Sequence, residues 1–244
     1  MEDTEWKLRC DLAACHHLFH HFGWTDVIFT HLSVRLPQNK NHYLTTPYGL
    51  MFEEVTASNL VKVDFEGNIL AGESYMNAGH AIHTAIMKTR QNVNCIFHSH
   101  TRAGIAVSCM KEGLMNLSQQ SGEIQDKINY YDYHLIEDAD TRSCAQLGRD
   151  IGNKPLLIMR NHGLLSAANN IPEALYNLYV LENACKIQVD VLRTGAELSV
   201  PPKSEWDKLA KINVSPTDDI AEHVNLFWTA LLRMLDRNGS NYCS

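Results

Sequence analysis

The sequence lacks several features that would place a protein in a functional class at once. It has no cluster of basic residues, and 21 Lys and Arg against 28 Asp and Glu give a formal net charge of −7. Such mild acidity argues against a nucleic-acid binder. No apolar run approaches the length of a membrane span. Neither a G-x-G-x-x-G nor a Walker A motif is present, so a dinucleotide or P-loop site has no support.

Cysteine is also too scattered for a disulfide framework. The seven cysteines stand at positions 10, 15, 95, 109, 144, 185 and 243, and none forms a C-x-x-C pair. We expect them to be reduced core thiols of a cytoplasmic protein. The acidic segment Met1–Glu5 agrees with this, because it does not have the charged-then-apolar plan of a secretion signal.

The spacing of apolar residues predicts a mixture of helices and short strands. The predicted helices cover about 4–22, 80–89, 101–110, 140–151, 173–194 and 217–237. The predicted strands cover 28–29, 32–36, 42–46, 60–64, 94–99, 155–158 and 164–166, and 114–136 is expected to be irregular. Strand-turn-strand units among helices favour an α/β fold with a sheet between helices over a doubly wound parallel sheet. Without a repeat or linker, residues 1–244 are predicted to form one domain.

Two histidines at the end of one predicted strand indicate a metal site. In the stretch Asn94–Thr101, His98 and His100 are two residues apart, so both side chains point to the same face of the strand. His162 lies in a short polar loop between two further strands. Three neutral imidazoles with open coordination positions suit a catalytic divalent metal. The alternative is that all three only form hydrogen bonds at a sheet edge. The four histidines between His16 and His21 are interpreted as structural or solvated.

Several motifs resemble those of the class II aldolase/adducin family. Cys95–Thr101 is similar to the two-histidine metal strand of the family, and Arg160–Leu164 is similar to its third-ligand loop. Further similar stretches are Phe22–Trp24, His31–Arg35, Pro47–Leu50, Glu54–Ser58, Asn77–His80, Asp132–His134 and Leu181–Cys185. Within the family, the likeness is closest to the adducin head domain and its bacterial relatives.

The resemblance implies a three-layer α/β fold in which a central, mainly antiparallel sheet is flanked by helices. It implies metal binding by His98, His100 and His162, with zinc preferred over iron, manganese, cobalt or nickel. The sugar-phosphate enzymes of the family are tetramers with the active site at a subunit boundary, and they hold an enediolate on zinc. We therefore expect a homo-oligomer, with a tetramer favoured, and no nucleic-acid or membrane partner.

Three departures from the aldolases concern the rest of the site. The aldolases place an acid/base glutamate four residues before a histidine that opens a helix, and counting back from His80 reaches Met76. The family's phosphate cradle of small polar side chains corresponds here to His31, Tyr48, Ser74 and Tyr75, of which only Ser74 fits, since the two tyrosines would fill the phosphate space. Gly49, next to Tyr48, is a further candidate for substrate binding. A tyrosine that the aldolases contribute across the subunit boundary is replaced near Gln119.

Two functional hypotheses follow from these departures. In the first, the chain is a metal-dependent enzyme of lyase, aldolase or decarboxylase type, or a non-haem iron oxygenase, and acts on an oxo- or hydroxy-acid or sugar-like substrate without a phosphate. Candidates for proton transfer are then Glu73, His80, His83, Tyr75 and Tyr131. In the second, the chain is a non-catalytic, adducin-like scaffold that keeps a metal site.

Overall fold

The structure is a computed structural model that describes residues 3–75, 79–134, 141–209 and 219–244, with only the backbone described for 141–145. Its centre is an eight-stranded sheet of order β4-β3-β2-β1-β5-β8-β7-β6. Six of the seven neighbouring pairs are antiparallel, and β6 and β7 are parallel. The strands are β1 His31–Arg35, β2 His42–Thr45, β3 Val61–Asp64, β4 Ile69–Ala71, β5 Cys95–Ser99, β6 Ile128–Tyr131, β7 Leu156–Met159 and β8 Gly163–Ala168.

Helices cover both faces of the sheet. They are α1 Asp3–Phe22, α2 His80–Thr89, α3 Arg102–Ser108, α4 Gln119–Ile124, α5 Thr141–Asp150, α6 Ile171–Arg193, α7 Lys203–Leu209 and α8 Ile220–Arg237. Apolar residues of α1, α3, α6 and α8 form one core on one face, and apolar residues of α2 and α5 form a second core on the other. This arrangement confirms the predicted three-layer α/β fold with a mainly antiparallel central sheet.

Strand β5 lies in the middle of the sheet and is buried on both faces. Cys95 and Phe97 belong to the core beneath α1 and α6, whereas Ile96 belongs to the core beneath α2. Because side chains alternate along a strand, His98 points to the α2 face with Ile96. The next position on that face is His100, just beyond the strand end. The sheet therefore directs both histidines to one edge of the α2 layer.

Strand β4 and helix α7 were not predicted, and two further regions differ from the predictions. Residues 28–29 are not a strand, because the backbone of Val27 has a φ of 53° and Phe29 is exposed, so β1 begins only at His31. The region 114–136 is not irregular throughout, because it contains α4 and β6. Ser118 caps α4 by accepting a hydrogen bond from the Ser121 backbone N–H, and β6 pairs with β7 at the sheet edge. Both elements are too short to give a clear hydrophobic period.

The expectation that all cysteines are reduced thiols is wrong for two of them. Cys10 in α1 and Cys243 near the C-terminus form a disulfide with their Cα atoms 4.7 Å apart. The same C-terminal segment contacts the loop before β3, since the Ala57 N–H donates to the Tyr242 carbonyl at 2.8 Å. Cys15, Cys95 and Cys185 are buried free thiols, as expected. A pairing across 233 positions leaves no spacing signal in the sequence.

Crossing a bilayer would need a helix that is both long and strongly apolar, and none occurs in the described ranges of the chain.

Candidate metal centre

The structure brings His98, His100 and His162 together at the end of β5. The Nε2 atom of His98 lies 2.8 Å from that of His100 and 3.3 Å from that of His162, and the last two are 3.1 Å apart. Nitrogen ligands at about 2.0–2.1 Å from a tetrahedral zinc ion are separated by roughly 3.3 Å. The three atoms therefore have the spacing that a shared cation requires.

The opposite ring nitrogens show why these Nε2 atoms suit a cation. Nδ1 of His98 lies 2.9 Å from the Leu164 carbonyl oxygen, and Nδ1 of His100 lies 3.1 Å from Oδ2 of Asp26. Both oxygens are acceptors, so each neutral ring carries its proton on Nδ1 and leaves a lone pair on Nε2. Lone pairs converging at this distance repel one another unless a positive ion lies between them. The donor set thus fits a divalent metal, with a backbone carbonyl and a carboxylate orienting two of the ligands.

Burial keeps two of the ligand candidates, His98 and His162, neutral. The pKa of His98 is well below its usual value, mainly because the ring is buried and also because of the charges of His31, His162 and His100. Burial, together with the charge of His100, lowers the pKa of His162 to about 4. Metal binding requires neutral imidazole, so no proton has to be removed from these rings at neutral pH.

The backbone around His100 is fixed by the helix that follows. Thr101 caps α3: its Oγ1 accepts a hydrogen bond from the Gly104 N–H at 3.2 Å and donates one to Oε2 of Glu182 at 2.5 Å. Glu182 is buried in α6, and burial raises the pKa of its carboxyl group. A link from α6 through Thr101 therefore holds the chain directly after His100.

The His162 loop is held by a close approach of two strands. Asn161 has a φ of 57°, in the left-handed region that asparagine tolerates better than most residues. A Cβ atom at Gly163 would lie 2.4 Å from the Ser99 carbonyl oxygen and 3.2 Å from the ring of His100. Only glycine fits there, so Gly163 allows β8 to begin directly beside the end of β5 and presents His162 to the other two histidines.

A fourth histidine lies next to the triad. His31 on β1 is the register partner of His98 on β5, and their ring centroids are 5.0 Å apart. Its Nδ1 lies 2.8 Å from Nε2 of His83 in α2, and Nδ1 of His83 lies 2.5 Å from Oγ of Ser33. Ser33 was not among the sequence candidates. Its position two residues after His31 on a strand was the available signal, since both must face α2.

The remaining predicted substrate residues form separate groups. Tyr48 and Tyr75 form an isolated β-bridge, and Oγ of Ser74 accepts a hydrogen bond from the Tyr48 N–H at 2.8 Å. Tyr75 is 82% exposed, and Gly49 has a φ of 104°. Gln119 opens α4 and donates to Glu123 at 3.1 Å. Their part in substrate binding stays a prediction.

The proton-transfer candidates are also dispersed. Nδ1 of His80 lies 2.6 Å from the Tyr43 hydroxyl, and Tyr131 is buried on β6 with its ring next to that of His134. Glu73 is exposed in the loop after β4. Of the two histidines in α2, His83 is the one that contacts His31. Met76 lies outside the described residues.

Besides Ser33, two side chains near the triad were not among the sequence candidates. Asp26 precedes the strained Val27 in a loop, where no periodicity marks it. Glu182 lies in Leu181–Cys185, one of the stretches that resemble the family. Helix spacing alone gave no reason to connect Glu182 with the segment of His100. Both connections depend on tertiary packing.

Comparison with known proteins places this geometry in a family. Residues 10–189 match the family model described as "Class II Aldolase and Adducin N-terminal domain". A Pseudomonas aeruginosa protein named as a candidate class 2 aldolase is 41% identical over 98% of this chain and 93% of its own length. Mouse alpha-adducin is 40% identical over 77% of this chain, which corresponds to 26% of the adducin. A crystal structure of an aldolase II superfamily protein from Pseudomonas syringae has a TM-score of 0.90 and 36% identity, covering 100% of this chain and 98% of that one.

Proposed function

The chain belongs to the class II aldolase and adducin family, and from this premise we propose that it is a divalent-metal-dependent enzyme of lyase type acting on an oxo- or hydroxy-acid or sugar-like substrate without a phosphate group. The observation that carries the proposal is the convergence of three Nε2 atoms within 3.3 Å of one another. An arrangement of three imidazoles leaves coordination positions open, as a catalytic site needs and a closed structural site does not.

The proposed roles of the side chains follow from their contacts. His98, His100 and His162 would hold the ion, with zinc the preferred metal. When bound, the ion supplies a Lewis acid for a carbonyl or enediolate oxygen. The Leu164 carbonyl and Asp26 keep two imidazoles in the ligand orientation. On one side, α2 reaches the group through His83, whose Nε2 lies 2.8 Å from Nδ1 of His31.

The surroundings of α2 support a chemistry different from that of the aldolases. Counting four residues back from His83, the histidine that contacts the site, reaches Gly79, whereas counting from His80 reaches Met76. Neither glycine nor methionine has a group that transfers a proton near neutral pH. On either count, the glutamate on which the aldolases rely has no counterpart at that place.

The loop of Tyr48 supports a substrate without phosphate. Oγ of Ser74 is engaged with the Tyr48 N–H and donates to the Tyr75 carbonyl at 3.0 Å. The hydroxyl is thus occupied within the loop rather than offered to a ligand. No lysine or arginine was among the substrate residues predicted from the sequence.

The experiment is an assay of the zinc-loaded protein against L-fuculose 1-phosphate and a panel of 2-oxo- and 2-hydroxy-acids. We expect turnover of a member of the acid panel that stops when a chelator removes the metal, and no cleavage of the sugar phosphate. Efficient cleavage of L-fuculose 1-phosphate would contradict the proposal, as would acid turnover that survives both the chelator and the His100→Ala substitution.

A scaffold role is the second candidate, and the similarity to alpha-adducin favours it. That protein matches this chain over only about a quarter of its own length, so its other activities are not transferred. In this case, the metal would stabilise the fold without any turnover. Metal-dependent thermal stability, together with inactivity on the whole substrate panel, would favour the scaffold over the enzyme.

We also propose that the chain forms a homo-oligomer, with a tetramer favoured. Val27 and Phe29 are 56% and 55% exposed beside Asp26, which contacts the His100 ring. Exposed apolar side chains near a functional site are typical of surfaces that another subunit covers. Sedimentation velocity at micromolar concentration is expected to show an assembly larger than a monomer, and a monomer alone would contradict this prediction.

A further inference from the structure

A buried chain of hydrogen bonds beside the triad has no part in metal binding itself. It runs from Oγ of Ser33 to Nδ1 of His83, and from Nε2 of His83 to Nδ1 of His31. All three side chains are buried between β1 and α2. The direction in which the protons point along this chain determines what His31 presents to the site.

The direction follows from the hydroxyl group of Ser33. Among the described residues, Nδ1 of His83 is the one side-chain or backbone partner of this hydroxyl. A buried hydroxyl hydrogen without an acceptor costs free energy, so Ser33 donates to His83. His83 then accepts at Nδ1 and carries its own proton on Nε2. That proton is donated to Nδ1 of His31, so the proton of a neutral His31 is on Nε2.

Among the described residues, the side-chain hydrogen bond of the His31 ring is the one at Nδ1, so no side chain engages its Nε2–H group. Yet His31 is only 5% exposed, and its ring lies 5.0 Å from that of His98. A metal ion on the triad would oppose a second positive charge so close by, which favours the neutral ring. An N–H donor that no side chain engages, beside a metal site, is an arrangement that a bound ligand can complete.

The first turn of α2 is shaped around this ring. A Cβ atom at Gly79 would lie 2.2–2.3 Å from three atoms of the His31 ring, although the backbone φ of −68° at Gly79 suits any residue. Glycine is therefore required by space and not by conformation. The absence of a side chain at Gly79 gives His31 its position next to His98.

We propose that His31 is a neutral hydrogen-bond donor, fixed by Ser33 through His83, whose Nε2–H binds an oxygen atom of the metal-bound substrate. The ligand class that suits one neutral donor beside one cation is a 2-oxo- or 2-hydroxy-carboxylate, with oxygen atoms on adjacent carbons. The ligand part of this inference rests on the proposed function. The proton direction along Ser33, His83 and His31 does not.

The first test reads the proton positions directly. In protein labelled with 15N-histidine, long-range 1H–15N spectra distinguish the two neutral tautomers, and the His31→Gln and His83→Gln variants assign the signals. We expect both residues to carry the proton on Nε2, in metal-free and zinc-loaded protein alike. A proton on Nδ1 of either residue would overturn the assignment. This measurement decides the question even if the protein binds no metal, in which case only the proposed function fails.

The second test measures ligand binding with oxalate as the probe and Co²⁺-loaded protein as its spectroscopic reporter. Removing a hydrogen bond to a charged group is expected to weaken oxalate binding by about 10-fold or more in His31→Phe. Ser33→Ala should also weaken oxalate binding. Without the Ser33 hydroxyl, His83 can carry its proton on Nδ1 and accept a hydrogen bond at Nε2 from the Nδ1–H of His31, which leaves Nε2 of His31 without a proton to donate. Ser166→Ala is the matched control, since Ser166 is a buried serine of the same sheet that points to the α6 face. It should bind oxalate like the wild type.

Cobalt content is measured in each variant, so that a loss of ligand binding is not confused with a loss of metal. Equal oxalate affinity in wild type, His31→Phe and Ser33→Ala would overturn the proposal. Failure of the cobalt-loaded wild type to bind oxalate would overturn its ligand part. Gly79→Ala provides an independent check, because its Cβ displaces the His31 ring without changing any donor, and it should weaken oxalate binding as His31→Phe does.

Discussion

Replacing His100 with alanine is expected to reduce bound zinc from about one ion per chain to the background level. His100 contributes one of three Nε2 atoms that lie within 3.3 Å of one another. Two remaining imidazoles give a site with too few protein ligands to retain zinc through purification. Elemental analysis of freshly purified protein, after dialysis against metal-free buffer, measures the difference.

The matched control is His21→Ala, which removes an exposed histidine at the end of α1, away from the triad. It should retain the wild-type metal content. Both variants are compared by circular dichroism, so that misfolding is not mistaken for the loss of a ligand. Equal metal content in the wild type and His100→Ala would show that the three histidines do not hold an ion.

The pH dependence of metal binding provides a second test of the three-histidine site. Burial lowers the pKa of His162 to about 4, and it also lowers the pKa of His98. A depressed pKa keeps the ring unprotonated, so protons compete with the metal only as the pH falls towards these low values. Protonation of His98 or His162 should therefore not release zinc at pH 6, where an exposed imidazole with a pKa of about 6.5 is mostly protonated. In 1H–15N spectra of the zinc-loaded protein, a doubly protonated ring of His98 or His162 at pH 6 would contradict this.

The layers of the fold could be predicted because their signals are local. The apolar run that ends at His98 and the helical stripe of α2 are each visible within one segment, and the two-residue spacing of His98 and His100 fixes their common face. From the residues alone, the third histidine could be placed only in a loop, and its role as a ligand came from the resemblance to the family. Its distance from the pair depends on Gly163, which allows β8 to start against Ser99.

Other features of the site could not be predicted, because they arise from contacts between distant segments. Asp26 meets His100 across 74 positions, and the disulfide joins Cys10 to Cys243 across 233. Neither pair has a spacing or composition that marks it. The tautomer of His31 depends on Ser33 and on His83, which is 52 positions away in another layer. Such details are set by tertiary packing once the sheet has formed.

Replacing Asp26 with asparagine is expected to weaken zinc binding by about 10- to 100-fold, the usual effect of losing a carboxylate that orients a metal-bound histidine. The Asp26 carboxylate accepts from Nδ1 of His100 at 3.1 Å. Its negative charge makes the imidazole a stronger donor to the metal, and its position selects the Nδ1–H tautomer. An amide keeps the shape of the side chain but removes the charge. Competition with a chromophoric chelator measures the affinity.

The control for charge is Glu53→Gln, because Glu53 pairs with Nδ1 of His20 at 2.9 Å on the surface, in the same kind of carboxylate–histidine contact. It should leave the zinc affinity unchanged. Equal affinities for Asp26→Asn and Glu53→Gln would show that Asp26 does not act on the metal site.

The backbone next to Asp26 explains how a half-exposed carboxylate is held on His100. Val27 has a φ of 53°, which is unfavourable for a β-branched residue and costs about 1–3 kcal/mol. A Val27→Gly variant adopts the same backbone without that cost. If the turn itself positions Asp26, this variant should keep the wild-type zinc affinity while gaining stability in urea denaturation. A fall in affinity as large as that of Asp26→Asn would instead assign the effect to the valine side chain at the exposed rim, and the carboxylate would then not account for the orientation of His100.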